Sequence, residues 1–265
     1  MDDKEKMIEA LDLSFEYSHL KNGASAIFKK LSFDFYAGQS VALLGANGCG
    51  KTTLILLLAA HLKPSSGEIF LKGRSLGLYD SKNKGRLISY AAQSHEISFN
   101  FNVFEVMAFG RSPYLGYFGF MKKPEREIIL KTAEKFDLSD VLYRPFDELS
   151  GGEKKRVMLA RAFLQDVPVA IFDEPEAHLD IKHQYLFYSE IKKMAVNENK
   201  LCIFSSHNVE LALRYSTHVV LIDKSNGSFT FGPTDKIAEA DNLKKIYGVK
   251  FERVATSTGA KLIAV

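Results

Sequence analysis

The chain has 265 residues, 46% hydrophobic and 25% charged, an ordinary balance for a globular protein with one large core or two packed lobes. Its net charge of +3 is too small to indicate a nucleic-acid-binding surface, so we expect no nucleic-acid partner. The longest apolar run, 54–60, is far shorter than the roughly 20 residues that cross a bilayer, and the charged N-terminus does not resemble a signal peptide. Two cysteines make no disulfide framework, which favours a reduced cytosolic setting.

The first part of the chain predicts β-structure that leads into a glycine loop. Residues 7–13 partly alternate between apolar and polar, 31–35 alternate cleanly, and Asn22-Gly23 between them indicates a turn. The elements expected next are an apolar strand at 40–44, a buried helix at 53–62 ended by Pro64, a strand pair around 68–72 and a strand at 87–92.

The pattern becomes helical between about 95 and 165, and apolar strands then return. We expect helices at 125–136, 153–164 and 181–195, and strands at 169–172, 201–204 and 219–222. Buried strands that alternate with helices argue for a parallel sheet. The prediction is an α/β protein: a P-loop NTPase core with a parallel sheet, an N-terminal antiparallel β subdomain and an inserted helical subdomain. The single domain 1–265 would divide into a core lobe (1–94 and 166–265) and a helical lobe (95–165).

Residues 45–52 read GANGCGKT, the pattern of a phosphate-binding loop between a strand and a helix. Successive backbone N–H groups and the helix N-terminus favour phosphate there. Lys51 would reach the β- and γ-phosphates, and the Thr52 hydroxyl would ligate Mg²⁺. The alternative is a chance glycine loop before a core helix. The candidate ATP-binding residues of this segment are Gly45, Asn47, Gly48, Cys49, Gly50, Lys51, Thr52 and Thr53.

Asp173 and Glu174 follow four apolar residues, so both are expected at the carboxyl end of a buried strand that faces the same crevice. Asp173 would hold Mg²⁺ there, and Glu174 would polarise the attacking water. Without the phosphate loop, such a pair would more simply be a solvated turn.

A second glycine motif, LSGGE at 149–153, suggests a second phosphate contact supplied by another subunit. With these motifs the chain resembles, over nearly its whole length, the ATPase subunit of an ATP-binding cassette (ABC) transporter. LSGGE resembles the signature motif LSGGQ, which in that family closes over ATP held by the partner. The resemblance implies that Ser150 and Gly152 contact the γ-phosphate in trans, and Gly151 between them is a further candidate ATP-binding residue. Glu153 replaces the family's glutamine, and its charge near phosphate could weaken closure.

Three further residues gain roles from the resemblance. Gln93 resembles the glutamine that senses Mg²⁺ and couples to the membrane partner, His207 the switch histidine that touches the γ-phosphate, and Asp180 an aspartate at the dimer interface. Surface decoration for Gln93 and a structural role for His207 are the alternatives. Glu176 and His178 depart from the small or hydroxyl residues that are commoner beside Asp180.

Other side chains carry less specific signals. Tyr17 resembles the aromatic residue that stacks on adenine, with Phe15 as the alternative and a core role open to both. Cys49 could make the nucleotide site sensitive to thiol reagents, with protection by ATP. The basic clusters 122–123 and 154–156 are expected to be solvated helix faces.

The stretch 102–113 contains a Val-x-x-Val-x-x-x-Gly-Arg-x-Pro pattern that is similar to importers of iron siderophores, haem, cobalamin and related metal chelates. The phosphate loop, with the sequence Asn-Gly-Cys-Gly-Lys at 47–51, and Tyr247-Gly248-Val249 near the C-terminus are also similar to this group of importers. The resemblance implies that this helical region receives a coupling helix of the permease. The simpler alternative is that Gly110-Arg111-Ser112-Pro113 only stops a helix.

The resemblance implies an ATP- and Mg²⁺-dependent motor that needs partners. These are a second copy of the chain, a polytopic membrane permease dimer and, indirectly, a substrate-binding protein. The chain would lie peripherally on the cytoplasmic face of the cell membrane. The alternatives are a zinc or manganese importer, an exporter, or a soluble cassette acting on ribosomes or DNA. Cargo does not touch the ATPase in such systems, so the sequence does not encode it.

Overall fold

The computed structural model describes residues 4–17, 26–92, 101–115, 121–224, 228–256 and 259–265. The turn predicted at Asn22-Gly23 lies outside these residues. The strands are β1 (Lys6–Phe15), β2 (Phe28–Tyr36), β3 (Ser40–Gly45), β4 (Ser66–Leu71), β5 (Arg74–Ser75), β6 (Ile88–Ala91), β7 (Val169–Phe172), β8 (Leu201–Ser205), β9 (His218–Ile222), β10 (Phe229–Pro233), β11 (Phe251–Thr256) and β12 (Gly259–Ala264).

The α-helices are α1 (Lys51–Leu58), α2 (Ser81–Gly85), α3 (Val103–Ala108), α4 (Lys123–Lys135), α5 (Gly151–Leu164), α6 (Ile181–Val196), α7 (Val209–Tyr215), α8 (Thr234–Ile237) and α9 (Ala240–Tyr247). Short 3₁₀ helices cover Leu76–Leu78, Phe109–Tyr114, Ser139–Val141 and Phe146–Glu148.

The central sheet has the order β10-β9-β3-β8-β7-β6. All its pairs are parallel except β10–β9, which is antiparallel at one edge. Because parallel strands end at the same edge of a sheet, the residues that follow β3, β7 and β8 meet there. The sheet thereby brings Gly45, Asp173 and Ser206 to one edge, although they lie far apart in the chain.

A second sheet, β2-β1-β4-β5, is antiparallel throughout. The partial alternation of β1 has a structural cause: the register shifts between Ala10 and Leu13, where Asp12 has a φ of 48°. Helices α3 and α4 both pack against α5. The predicted α/β class, with a parallel central sheet, an antiparallel N-terminal sheet and helices between β6 and β7, is confirmed.

The hydrophobic core lies on both faces of the central sheet. Alternate residues of each strand enter opposite clusters: Ala42 and Leu44 face α5 and α6, whereas Val41 and Leu43 face α1 and the antiparallel sheet. This explains why the central strands read as continuous apolar runs. Within the described part of the chain, no helix has the length and apolar composition of a membrane span.

The predicted helix bounds differ most from the observed ones at α1. Helix α1 starts at Lys51 instead of 53 and ends at Leu58 instead of 62. It stops before Pro64 because Ala60 adopts a left-handed φ of 57° and the N–H of His61 donates to the carbonyl of Leu56, 2.8 Å away. The proline is therefore not what ends the helix.

Candidate nucleotide-binding and hydrolysis site

The glycine loop joins β3 to the N-terminus of α1. Gly50 precedes the helix with a φ of 107°, which L side chains rarely adopt. A Cβ at Gly50 would also lie 2.8 Å from both Ile27 Cγ2 and Phe28 Cζ. Glycine is therefore required for the turn that aims the free N–H groups at the start of α1 into the loop's concavity, a geometry suited to phosphate.

Lys51 is buried and its ammonium lies inside the loop. Nζ donates to the carbonyls of Gly45, 2.7 Å away, and Ala46, 3.3 Å away. The loop thus holds one fixed positive charge beside the N-terminus of α1, and both attract an anion.

An open cleft of about 510 Å³ lies over this loop. Among the described residues, its lining consists of Ile27 and nine residues singled out from the sequence. They come from four separate parts of the chain: Tyr17, the loop residues Asn47, Gly48, Gly50, Lys51, Thr52 and Thr53, then Glu174, and finally His207.

Tyr17, and not Phe15, faces this cleft. Tyr17 is 39% exposed and its hydroxyl lies 3.1 Å from Thr53 Oγ1, whereas Phe15 is 6% exposed and belongs to the core. The two rings meet edge to face, with centroids 4.9 Å apart. Phe15 therefore supports Tyr17 from behind, and only Tyr17 has a free surface for an adenine ring.

Asp173 lies beside the threonine of the loop. The Thr52 hydroxyl donates to Asp173 Oδ1 at 3.3 Å, and the buried Ser205 hydroxyl donates to the same oxygen at 2.6 Å. A hydroxyl and a carboxylate this close are ligands that Mg²⁺ prefers, with waters and phosphates filling the other positions. Ser205 was missed by the sequence analysis because a serine that ends an apolar strand carries no motif.

Glu174 and His207 form a pair at the mouth of the cleft. His207 Nε2 lies 2.6 Å from Glu174 Oε1. The backbone N–H of Glu174 donates to Ser205 Oγ at 2.8 Å, which fixes the residue against β8. Glu174 has a left-handed φ of 45°, an uncommon conformation that turns the chain sharply after β7. A carboxylate and an imidazole in contact can orient a water and carry its proton.

Cys49 belongs to the loop but its thiol belongs to the core. The residue is 6% exposed, packs in the cluster beneath the loop and does not line the cleft. Burial raises the pKa of the thiol, against the opposing effect of Lys51. A buried thiol with a raised pKa is poorly reactive, so the geometry disfavours the thiol sensitivity expected from the sequence.

The signature motif forms the N-terminus of α5, outside the cleft of its own chain. Ser150 and Glu153 make a capping box: the Ser150 hydroxyl and N–H donate to Glu153 Oε2 at 2.6 and 2.8 Å. These hydrogen bonds hold the pKa of Glu153 below its usual range. Gly151 is exposed, and a Cβ on Gly152 would lie 3.3 Å from the carbonyl of His178.

Asp180 caps α6 near the signature motif. Its carboxylate accepts from the backbone N–H of His183 at 2.9 Å and contacts His183 Nδ1 at 2.7 Å. The hydrogen bond from that N–H, then the His183 side chain, lower the pKa of Asp180. His183 Nε2 lies 3.2 Å from Asp137, just after α4, so Asp180 is connected to the helical region.

One basic cluster differs from the expectation. Lys122 and Lys123 are exposed, as predicted, but Lys155 is buried on α5. Burial lowers the pKa of Lys155, and the negative charges of Glu176, Asp173 and Glu174 oppose that shift. The prediction of a solvated face is therefore wrong for Lys155, because this turn of α5 faces the carboxylates that follow β7.

The segment with the Gly-Arg-x-Pro pattern does more than end α3. The Arg111 guanidinium is buried, donating to the carbonyl of Leu164 at 2.7 Å and to Glu125 at 2.6 Å. A Cβ on Gly110 would lie 2.3 Å from the carbonyl of Arg161. Gly110 therefore lets the segment approach α5 closely, and Arg111 holds the C-terminal end of that helix.

Gln93 lies outside the described residues, so its predicted role stays a prediction. No sequence motif assigns Glu176 a role in the site, yet the residue is buried and its carboxylate contacts the backbone of His207. No local pattern marks it, because its partners lie about thirty residues further along the chain.

Comparisons with known proteins agree with this geometry. The family model described as "ABC transporter" matches residues 28–177. The "Probable iron chelatin transport ATP-binding protein" of Helicobacter pylori is 31% identical over 249 residues, 94% of this chain and 95% of that protein. The "Hemin import ATP-binding protein" of Pseudomonas entomophila is 29% identical over 242 residues, 89% of this chain and 92% of its own.

Solved structures show the same fold. A metal-chelate type ABC transporter in an inward-facing conformation has a chain that aligns with a TM-score of 0.80 at 24% identity, covering 98% of both chains. An ATP-binding cassette that crystallised as a dimer with ADP and phosphate aligns with a TM-score of 0.76 at 21% identity, covering 86% of this chain and 99% of the other. At these identities the likeness establishes the fold alone.

Proposed function

This chain belongs to the ABC transporter family, whose ATP-binding subunits hydrolyse ATP, and from that premise we propose that it drives import of an iron–siderophore or related metal chelate. The observation that carries the proposal is the cleft in which Lys51, Glu174 and His207 meet. The transport names of relatives that align over nearly the whole chain support the cargo class.

ATP would lie along the cleft with its phosphates at the glycine loop and its adenine at Tyr17. Its phosphates would occupy the concavity between Lys51 and the N-terminus of α1, and its adenine would stack on Tyr17. The lining of the cleft supports this orientation, since both Tyr17 and Lys51 belong to it. Asn47, Gly48, Gly50 and Thr53 would contribute the remaining loop contacts.

Thr52 and Asp173, with Gln93, are the proposed Mg²⁺ residues. The 3.3 Å contact between Thr52 Oγ1 and Asp173 Oδ1 supports the first two. A bound Mg²⁺ supplies charge neutralisation for the phosphates. Ser205 keeps Asp173 oriented, because its hydroxyl donates to the same carboxylate oxygen.

Glu174 would orient the attacking water and His207 would hold Glu174 and contact the γ-phosphate. Phosphoryl transfer needs positioning and charge stabilisation more than covalent help, and two polar side chains fixed at the mouth of the cleft suit that need. Their 2.6 Å contact supports a joint role.

The site would be completed by a second copy of the chain. The described part of the cleft lining includes none of the signature-motif residues Ser150, Gly151 and Gly152, and it does not include Asp180. This supports a role for these residues at the ATP of the partner. A head-to-tail pair buries one ATP at each of two equivalent sites, and hydrolysis then removes the phosphate that bridges the copies.

The division into a core lobe (1–94 and 166–265) and a helical lobe (95–165) would let closure move the signature motif. The permease dimer would dock on the helical lobe near the segment that Arg111 ties to α5. We propose that the chain works at the cytoplasmic face of the membrane, with a substrate-binding protein delivering cargo to the permease.

The test is purification of the chain with its membrane partner from native membranes. The complex, reconstituted with its binding protein, should hydrolyse ATP faster with a ferric siderophore, haem or cobalamin than with zinc, manganese or molybdate. Stimulation by zinc or manganese alone would contradict the cargo. Co-purification with ribosomes or DNA, and no polytopic protein, would contradict the transport function.

A further inference from the structure

Glu176 belongs to the segment after β7 and is only 8% exposed, because its side chain packs against the loop after β8. One of its carboxylate oxygens, Oε1, accepts two hydrogen bonds from the second segment. The Ser206 hydroxyl donates at 2.7 Å and the backbone N–H of His207 donates at 2.8 Å. Glu176 therefore fixes the backbone of His207 directly, although 31 residues separate them.

Further contacts hold this arrangement in place. The single proton of the Ser206 hydroxyl goes to Glu176, so the Tyr188 hydroxyl, 2.8 Å from Ser206 Oγ, acts as donor to it. Tyr188 is itself fully buried on α6. The carboxylate of Glu176 therefore lies at the end of a chain of hydrogen bonds that starts in the core.

The backbone and the ring of His207 make hydrogen bonds to two different carboxylates. Glu176 holds the N–H, and the ring Nε2 meets Glu174 Oε1 at 2.6 Å. Glu174 and Glu176 are two residues apart, on the same turn after β7. Since His207 itself is exposed, these two contacts are what fix the ring relative to Glu174.

We propose that Glu176 is the positioning residue for His207, and that its reach from the turn after β7 sets the His207–Glu174 geometry on which hydrolysis depends. Lys155 of α5 is a buried cation that interacts with the negative charge of Glu176. The proposal rests on the role of His207 proposed above and adds a residue that does not itself touch ATP.

Length and charge of the side chain can be separated by substitution. Glu176→Gln keeps an oxygen at the same reach and removes the charge. Glu176→Asp keeps the charge beside Lys155 but is one methylene too short to meet both donors. Glu176→Met keeps the volume and removes the acceptor. Glu190→Gln, a carboxylate on α6 that pairs with Lys135 away from the cleft, is the matched control.

The measurement is kcat and KM for ATP, with thermal unfolding and nucleotide binding as checks of folding. Glu176→Gln should keep kcat within about threefold, because the acceptor geometry survives. Glu176→Asp and Glu176→Met should lower kcat by about 10- to 100-fold with KM within about twofold, since misplacing a catalytic group slows the reaction more than it weakens binding. If Glu176→Met does not fold, the comparison of Gln with Asp decides.

A double variant separates positioning from general damage. In the His207→Ala background, Glu176→Asp should cause no further loss, because its effect acts through His207. Losses that multiply, or a Glu176→Asp enzyme as fast as Glu176→Gln, would overturn the proposal. Wild-type activity of His207→Ala would instead remove the proposed role of His207, and the inference with it.

Discussion

The hydroxyl of Tyr247, the last residue of α9, accepts a hydrogen bond from the backbone N–H of Gly45, the first residue of the glycine loop, at 3.0 Å. The two residues are 202 positions apart. Burial raises the pKa of Tyr247 to about 12, so its hydroxyl stays neutral at physiological pH. The C-terminal helix thereby braces the point at which β3 enters the loop.

Tyr247→Phe should destabilise the protein without removing any group from the cleft. It leaves the Gly45 N–H without its partner, which costs about 1–3 kcal/mol of unfolding free energy for a buried donor. Thermal unfolding should show a lower Tm. Tyr143→Phe, at a tyrosine that is 62% exposed, is the control and should unfold like the wild type. Equal Tm values for all three proteins would contradict the bracing role.

Glu174→Gln should stop hydrolysis and trap an ATP-bound dimer. Loss of the residue that orients water should lower kcat by about 100- to 10,000-fold, the usual contribution of acid–base catalysis. ATP binding should persist, because Lys51 and the loop are unchanged. Size-exclusion chromatography with ATP and Mg²⁺ should show the dimer. Glu127→Gln, an exposed change on α4, should stay monomeric and active; a monomeric Glu174→Gln under saturating ATP would refute the composite site.

Glu153→Gln should tighten the ATP-dependent dimer. Glu153 holds both the hydroxyl and the N–H of Ser150 and adds a negative charge where phosphate is expected. Charges at a helix N-terminus are worth about 0.3–1 kcal/mol, so we expect the dimer Kd to fall about two- to fivefold in the Glu174→Gln background, less at high salt. Analytical ultracentrifugation would measure it. Glu148→Gln, an exposed neighbour, is the control, and an unchanged or weaker dimer would count against the interpretation.

Tyr17→Ala should raise KM for ATP and leave kcat near the wild-type value. Base stacking on an aromatic ring is worth about 1–3 kcal/mol, which corresponds to an increase of about 5- to 150-fold in KM. Tyr17→Phe keeps the ring and loses only the contact with Thr53, so its KM should stay within about twofold. Phe15→Ala should instead lower Tm, because Phe15 is a core residue. An unchanged KM for Tyr17→Ala would show that adenine lies elsewhere.

Cys49 should react slowly with iodoacetamide at neutral pH. Burial holds the pKa of the Cys49 thiol above its usual range, and only the thiolate reacts, so the labelling rate should be low at neutral pH and rise as the pH increases. Mass spectrometry of the labelled peptide would follow the reaction. Cys202, fully buried with a pKa of about 12, should react more slowly still. Complete labelling of Cys49 within minutes at pH 7 would contradict its burial.

The strands and the two glycine motifs could be predicted because their signals are local. Val41 to Leu44 and Val169 to Phe172 are apolar on both faces, so their sequence alone indicates strands covered on both sides. The glycines, lysine and threonine at 45–52 have the fixed spacing of a phosphate-binding loop, and few other structures require that spacing. The end of α1 was less predictable, because the left-handed turn at Ala60 has no glycine to mark it.

The sequence by itself determined the family, the class of fold and most of the described residues that line the cleft, since each of these follows from a short run of neighbouring residues. Only the tertiary structure decided that Tyr17, and not Phe15, lines the cleft, and that Lys155 is buried. It also placed Glu176 in contact with His207, and Tyr247 in contact with Gly45. The contact between Glu176 and His207 depends on the pairing of β7 with β8, whose ends meet at the edge of the central sheet. Contacts between residues 31 or 202 positions apart leave no periodic signal in the chain, because each partner is free to be any residue that satisfies the other.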